Sequence, residues 1–176
     1  MSSTLYSGSA ISILPLVGPT ATASPVVVAY ASAGLGVLHD LASNSQTHYN
    51  GHTDDITCMA LSTDGILAAT GWYDYNDSYI RCIRDAYIDY CDNSNGKEPT
   101  VHVWDTEISD PTAPPLFILG KGFFYLAVCA VEFSFDCRFL FAMSCDEHHM
   151  VGVFNLFNGE KVCHTTGQKG LYNFLT

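Results

Sequence analysis

The sequence predicts an all-β fold of repeated four-stranded antiparallel sheets, and three observations predict it. Short runs rich in Val, Ile, Phe and Tyr recur between turn residues from Val26 to Cys163, the spacing of successive strands. A Gly51-His52 pair opens one set of four such runs, and Trp104-Asp105 ends the third run of that set. Within the set, Thr63-Asp64-Gly65 joins two runs with the residue chemistry of a tight hairpin.

The elements follow in order. "VVVAYA" (26 to 31) and "LGVLHDL" (35 to 41) are β-rich runs around a Gly turn, and polar "ASNSQTHYN" leads from them to Gly51-His52. "ITCMALS" (56 to 62) and "ILAATGW" (66 to 72) form the hairpin; "TVHVWDT" (100 to 106) and "LFILG" (116 to 120) supply the third and fourth strands. The intervening "EISDPTAPP" is a connection, because its prolines cannot donate to a central ladder. A second set runs "LAVCAVEFS" (126 to 134), "RFLFAMSC" (138 to 145), "MVGVFNLF" (150 to 157) and "EKVCHTT" (160 to 166), with turns at Phe135-Asp136-Cys137 and Asn158-Gly159. Four-stranded sets of this kind are the pattern of β-propeller blades. Blades take about 40 to 45 residues and closed propellers about four to eight of them. The 176 residues therefore predict about two to three blades and an incomplete ring, with apolar faces and strand edges that call for cover. A free monomer is not expected.

Eighteen acidic against seven basic residues give a formal charge of −11, which repels nucleic acid and anionic lipid. Neither is expected as a partner. No apolar run approaches the ~20 residues of a membrane span, and the opening Met-Ser-Ser-Thr lacks the basic residues that precede a signal sequence. Cysteines 58, 82, 91, 129, 137, 145 and 163 are odd in number and mostly set in apolar stretches, as for thiols in a reduced compartment.

The insertion "YDYNDSYIRCIRDAYIDYCDNSNGKEP" (73 to 99) predicts a short helix capped by Ser78. Tyr79, Ile83, Tyr87 and Tyr90, spaced four, four and three apart, fall on one face of it. Tyr and Ile flanked by Arg81 and Arg84 suit a partner interface; a helix that merely caps its own blade fits equally.

The order of motifs, from "ILPLVGPTATASPVVVAYASAGLGVLHD" through "GHTDDITCMALSTDGILAATG" and "VHVWDT" to "FSFDCRFLFAMSCDEHHMVGVFNLFNGEKV", resembles the echinoderm microtubule-associated-protein-like family over roughly residues 11 to 166. It is similar to the end of that family's HELP segment followed by its first WD-type blades. The resemblance implies an N-terminal arm at 1–25, partly HELP-like, with 11 to 16 as a strand, then a partial WD-repeat propeller over 26–176. It also implies a non-enzymatic structural protein without cofactor or bound metal, whose partners are tubulin and neighbouring microtubule-associated proteins. Its place would be the cytoplasm and cytoskeleton, with a ciliary axoneme and the microtubule lumen as candidate settings. The alternative is a WD-repeat scaffold joining other proteins away from microtubules. The family's N-terminal coiled coil and basic region have no counterpart here.

WD blades carry a buried chain of His, Ser or Thr, Trp and Asp. His52, Thr70 and Trp104 match three of these positions by resemblance, Asp105 joins the network as the Asp of the Trp-Asp pair, and Asp74 and Asp77 are the candidates for the fourth, the turn aspartate. The second set lacks the markers: Gly120-Lys121-Gly122 stands in place of Gly-His, and Phe154 replaces the Trp. "CDEHH" (145 to 149) with Cys163-His164 offers zinc-type ligands. Its spacing is neither Cys-x-x-Cys nor His-x-x-x-His, so a solvated loop beside two buried thiols is expected, although Cys145 and Cys163 could approach across adjacent strands. No Ser-His-Asp set, phosphate loop or paired carboxylates stand out.

Overall fold

A computed structural model describes residues 12–15, 26–72, 99–124, 127–146 and 148–167. The helix expected in the insertion, with Tyr79, Ile83, Tyr87 and Tyr90, and the candidates Asp74 and Asp77 lie outside the described residues. Among those described, twelve strands form three four-stranded antiparallel sheets.

The first sheet is β1 (Ser12–Pro15), β2 (Val26–Ser32), β3 (Leu35–Asp40) and β4 (Ser45–Tyr49), paired in that order. β1 falls inside the segment read as an N-terminal arm, and its register sets Ser12 opposite Ala29. β4 corrects the reading of "ASNSQTHYN" as a plain connection: its exposed, polar Ser45 and Gln46 lie on an outer strand and carry no apolar alternation.

The second sheet is β5 (Ile56–Leu61), β6 (Leu67–Trp72), β7 (Val101–Asp105) and β8 (Phe117–Leu119). The third is β9 (Val128–Phe133), β10 (Phe139–Ser144), β11 (Met150–Asn155) and β12 (Lys161–Thr166). Three sheets are the upper end of the expected count, and fewer than a closed propeller's usual four to eight.

The second sheet stands between the other two, with β5 packed on β2 and on β9. Its strands alternate between two interfaces, as the pleat requires. Met59, Leu61, Ala68 and Trp104 join Ala29, Leu38 and Tyr49 of the first sheet. Cys58, Ala60, Ala69, Val101, Val103 and Leu119 join Val128, Val131, Leu140 and Phe154 of the third. Both faces being covered, β6 and β7 are buried almost without interruption. In the third sheet burial alternates instead: Leu140, Ala142 and Ser144 are buried while Phe139, Phe141 and Met143 point the other way.

Thr57 stitches the second and third sheets together by donating its hydroxyl to the Val128 carbonyl. Next to that stitch the backbones come too close for a side chain at Gly71, where a Cβ would lie 2.8 Å from Val128 Cβ and 2.7 Å from Cys58 Sγ. Gly71→Ala is expected to cost about 1–3 kcal/mol through overpacking. Because Val128 Cγ1 shares the clash at 2.8 Å, Val128→Ala should cost less in the Gly71→Ala background than it does alone. Denaturant titration of the two single variants and the double variant reads the coupling.

The first hairpin turns of the second and third sheets are built alike. Ser62 Oγ donates to Asp64 Oδ1 at 2.6 Å and Ser134 Oγ to Asp136 Oδ1 at 2.6 Å. Each carboxylate also accepts the backbone N–H two residues on, from Ile66 and Arg138, as in an Asx turn. The left-handed position is Gly65 (φ 74°) in one turn and Cys137 (φ 56°) in the other.

Candidate functional site: a buried polar cluster between two sheets

His52 lies in the connection from β4 to β5, and its Nε2 shares a 2.7 Å hydrogen bond with Thr70 Oγ1 on β6. Thr70 is opposite His102 on β7, and the His102 ring stacks on His52 with centroids 4.2 Å apart and planes 16° apart. His102 Nδ1 in turn shares a 2.9 Å bond with Tyr49 Oη at the end of β4. Tyr49, stacked at 4.8 Å on Trp104, thus ties the first sheet to the second through both its ring and its hydroxyl. Gly51 leaves the space this hydroxyl occupies, since a Cβ there would collide with it.

Of His52, Thr70, Trp104 and Asp105, the structure brings His52 and Thr70 into direct contact. Trp104 lies in the same cluster through its ring, but its Nε1 has no hydrogen-bond partner among the described residues, nor does His52 Nδ1. Asp105 sits beyond, accepting the Glu107 backbone N–H at 2.8 Å to hold the start of the β7–β8 loop. Tyr49 and His102 were missing from the sequence reading. Alternation in "VHVWD" was the available signal: His102 and Trp104 share a face opposite Val101 and Val103.

Burial sets the electrostatics. It pushes the His52 imidazole down to about 3, helped by the adjacent His102, and that of His102 down to about 4. Tyr49 is pushed up by burial. At neutral pH the cluster is therefore uncharged, a set of neutral donors and acceptors sealed from water. Thr70 is fully buried, and this arrangement fastens two sheets.

The third sheet solves the same problem with apolar rings. Phe154, in the position where β7 has its Trp, packs on Phe124 and Phe123, and Lys161 Nζ lies 4.1 Å over the Phe123 ring.

The "CDEHH" segment corrects two expectations. It is solvated only in part: His148 is exposed, but Asp146 and His149 are buried, and Asp146 accepts from Ser144 Oγ at 2.7 Å and from the His148 N–H at 2.9 Å. A buried carboxylate in the β10–β11 turn needs those donors. Nor do Cys145 and Cys163 lie on adjacent strands, because β11 separates β10 from β12; Cys163 is exposed. Among the described residues no group of three or more His, Cys, Asp or Glu could hold a metal ion.

The family model for the WD domain, G-beta repeat, matches residues 43–84. Echinoderm microtubule-associated protein-like 2 of Homo sapiens is 32% identical over 77% of this chain, and the 77 kDa echinoderm microtubule-associated protein of Strongylocentrotus purpuratus 33% over 61%. The corresponding protein of Lytechinus variegatus is 28% identical over 78% of the chain. This chain is similar to the echinoderm microtubule-associated-protein-like family. It spans 18%, 13% and 18% of the length of those three relatives, so the resemblance concerns one stretch of the family's length. Among solved structures, a chain in the crystal structure of the mitotic checkpoint complex aligns with a TM-score of 0.56 at 21% identity, covering 79% of this chain and 36% of its own. That likeness speaks to the fold, which is of the β-propeller type.

Proposed function

We propose that this chain is a non-enzymatic structural part of a microtubule-associated protein of the echinoderm type, placed in the cytoskeleton. The observation that carries the reading is its similarity, at 28–33% over 61–78% of the chain, to proteins named as microtubule-associated. The geometry fits a structural role. His52, Thr70, Tyr49, His102 and Trp104 fasten one blade to the next, and the third sheet offers an outward face on which Phe141 is 42% exposed. By register, Met143 and Val151 join Phe141 and Val153 on that face. In this reading the open face and the 73–99 insertion meet tubulin or a neighbouring microtubule protein, in the cytoplasm or in a ciliary axoneme.

Co-sedimentation tests it. The chain is expected to pellet with microtubules or to remain in salt-extracted axonemes, and deletion of 76 to 96 should abolish incorporation while the sheets stay folded. A folded chain that neither pellets nor incorporates would favour a scaffold acting away from microtubules. Retention by the deletion variant would remove the insertion from the interface.

A further inference from the structure

In the second and third sheets, the turns that join the first and second strands and those that join the third and fourth emerge at one end of the strands. At that end the second and third sheets are locked edge to edge. Thr63 of the β5–β6 turn donates to the Phe135 carbonyl of the β9–β10 turn at 3.0 Å. The Leu156 N–H, at the start of the β11–β12 turn, donates to the Arg138 carbonyl at 2.8 Å. Thr106, leaving β7, donates to the Gly65 carbonyl at 2.7 Å. Four connections thus make one continuous rim rather than four independent loops.

This rim carries the most exposed large apolar side chains among the described residues. Phe135 is 90% and Phe157 93% exposed, with Ile66 at 45% beside them. The β9–β10 and β11–β12 turns are two strand spacings apart, about 10 Å, so the two rings can be covered by one ligand. Solitary exposed apolar residues are ordinary, but two rings bared on one rim are not.

The charged residues around them are mostly acidic. Asp64, Asp136, Glu107 and Glu160 lie on the same four connections. Hydrogen bonds from Ser62 and Ser134 hold Asp64 and Asp136 below the ordinary carboxylate value. Against them stand Arg138, 3.9 Å from Asp136, and Lys161, whose ammonium faces the Phe123 ring.

We propose that this turn rim is a docking surface for a basic polypeptide segment bearing apolar side chains, which cover Phe135 and Phe157 while its Lys or Arg residues meet the surrounding carboxylates. The surface lies at the strand ends, apart from the sheet face assigned to microtubule attachment, and it suits a ligand opposite in charge to the chain itself. Aromatic anchors supply the affinity and the charges supply orientation and salt dependence.

A fluorescent peptide alternating lysine with phenylalanine, and its glutamate-for-lysine counterpart, are the probes for anisotropy titration on the whole chain. The lysine peptide is expected to bind saturably and more weakly as salt rises, and the glutamate peptide not to bind. Because Phe135 and Phe157 are almost fully exposed, the double variant Phe135→Ser/Phe157→Ser should keep its thermal midpoint and lose about tenfold or more in affinity. Glu107→Gln/Glu160→Gln should weaken binding and flatten its salt dependence. Equal binding of the two peptides, or undiminished affinity in the folded phenylalanine variant, would overturn the proposal.

Discussion

Lowering the pH from 6.5 to about 4 is expected to destabilise this chain steeply. The cause is the stacked pair His52 and His102, whose imidazoles are held down to about 3 and about 4 from an ordinary 6.5. In the unfolded chain both take up protons as pH falls below 6.5; in the folded chain neither does until pH approaches those lower values. The unfolded state therefore binds more protons across that window, and stability rises with pH through it. The pair's contribution is fully present above 6.5 and is lost progressively below. Each histidine contributes a slope of up to about 1.4 kcal/mol per pH unit, so the two together can remove several kcal/mol. Asp64 and Asp136 sit below 3.8 in the folded chain, and their stabilising effect is lost only at still lower pH. Denaturant midpoints measured from pH 7 to 4.5 check this, with His102→Gln expected to reduce the slope. A midpoint that stays level across that range would show that the imidazoles are not sealed as described.

The propeller pattern was legible because most strands carry two independent marks, apolar runs and turn chemistry. The β5–β6 hairpin is the clearest case: its strands are apolar on both faces, and Ser62, Asp64 and Gly65 specify the turn. β4 was hidden because an outer, solvated strand needs no apolar residue until Tyr49. His52 and Thr70 were legible through the Gly-His pair and the family resemblance. Tyr49 and His102 were not, because their meeting depends on how the first sheet leans on the second, which no local spacing encodes. Asp146 was misread for the opposite reason. A turn rich in Asp, Glu and His resembles solvated sequence, yet Ser144, two residues before it, repeats the Ser-x-Asp spacing of Ser62-Asp64 and Ser134-Asp136. That repeat was present in the sequence and marks a carboxylate held by its own turn.

Trp104→Ala is expected to be among the most damaging single substitutions, at about 3–5 kcal/mol, the range for removing a buried Trp or Phe side chain. Trp104 is 3% exposed and packs with Tyr49, Leu38 and Ala68 where the first two sheets meet. Its loss would empty the interface and also free Tyr49, whose hydroxyl holds His102. Among the described residues Trp104 contributes through its ring, since Nε1 has no partner there. Trp104→Phe should consequently cost well under half as much, because an aromatic face remains for Tyr49 and no hydrogen bond among the described residues is broken. Thr70→Val makes the opposite change, keeping the volume while leaving His52 Nε2 unpaired, and should cost about 1–3 kcal/mol. Thermal or denaturant unfolding of the three variants separates the two contributions. Were Trp104→Phe as harmful as Trp104→Ala, the indole N–H would have to be bonded, and the fastening of these blades would be a continuous polar chain instead of a stacked ring beside a His–Thr pair.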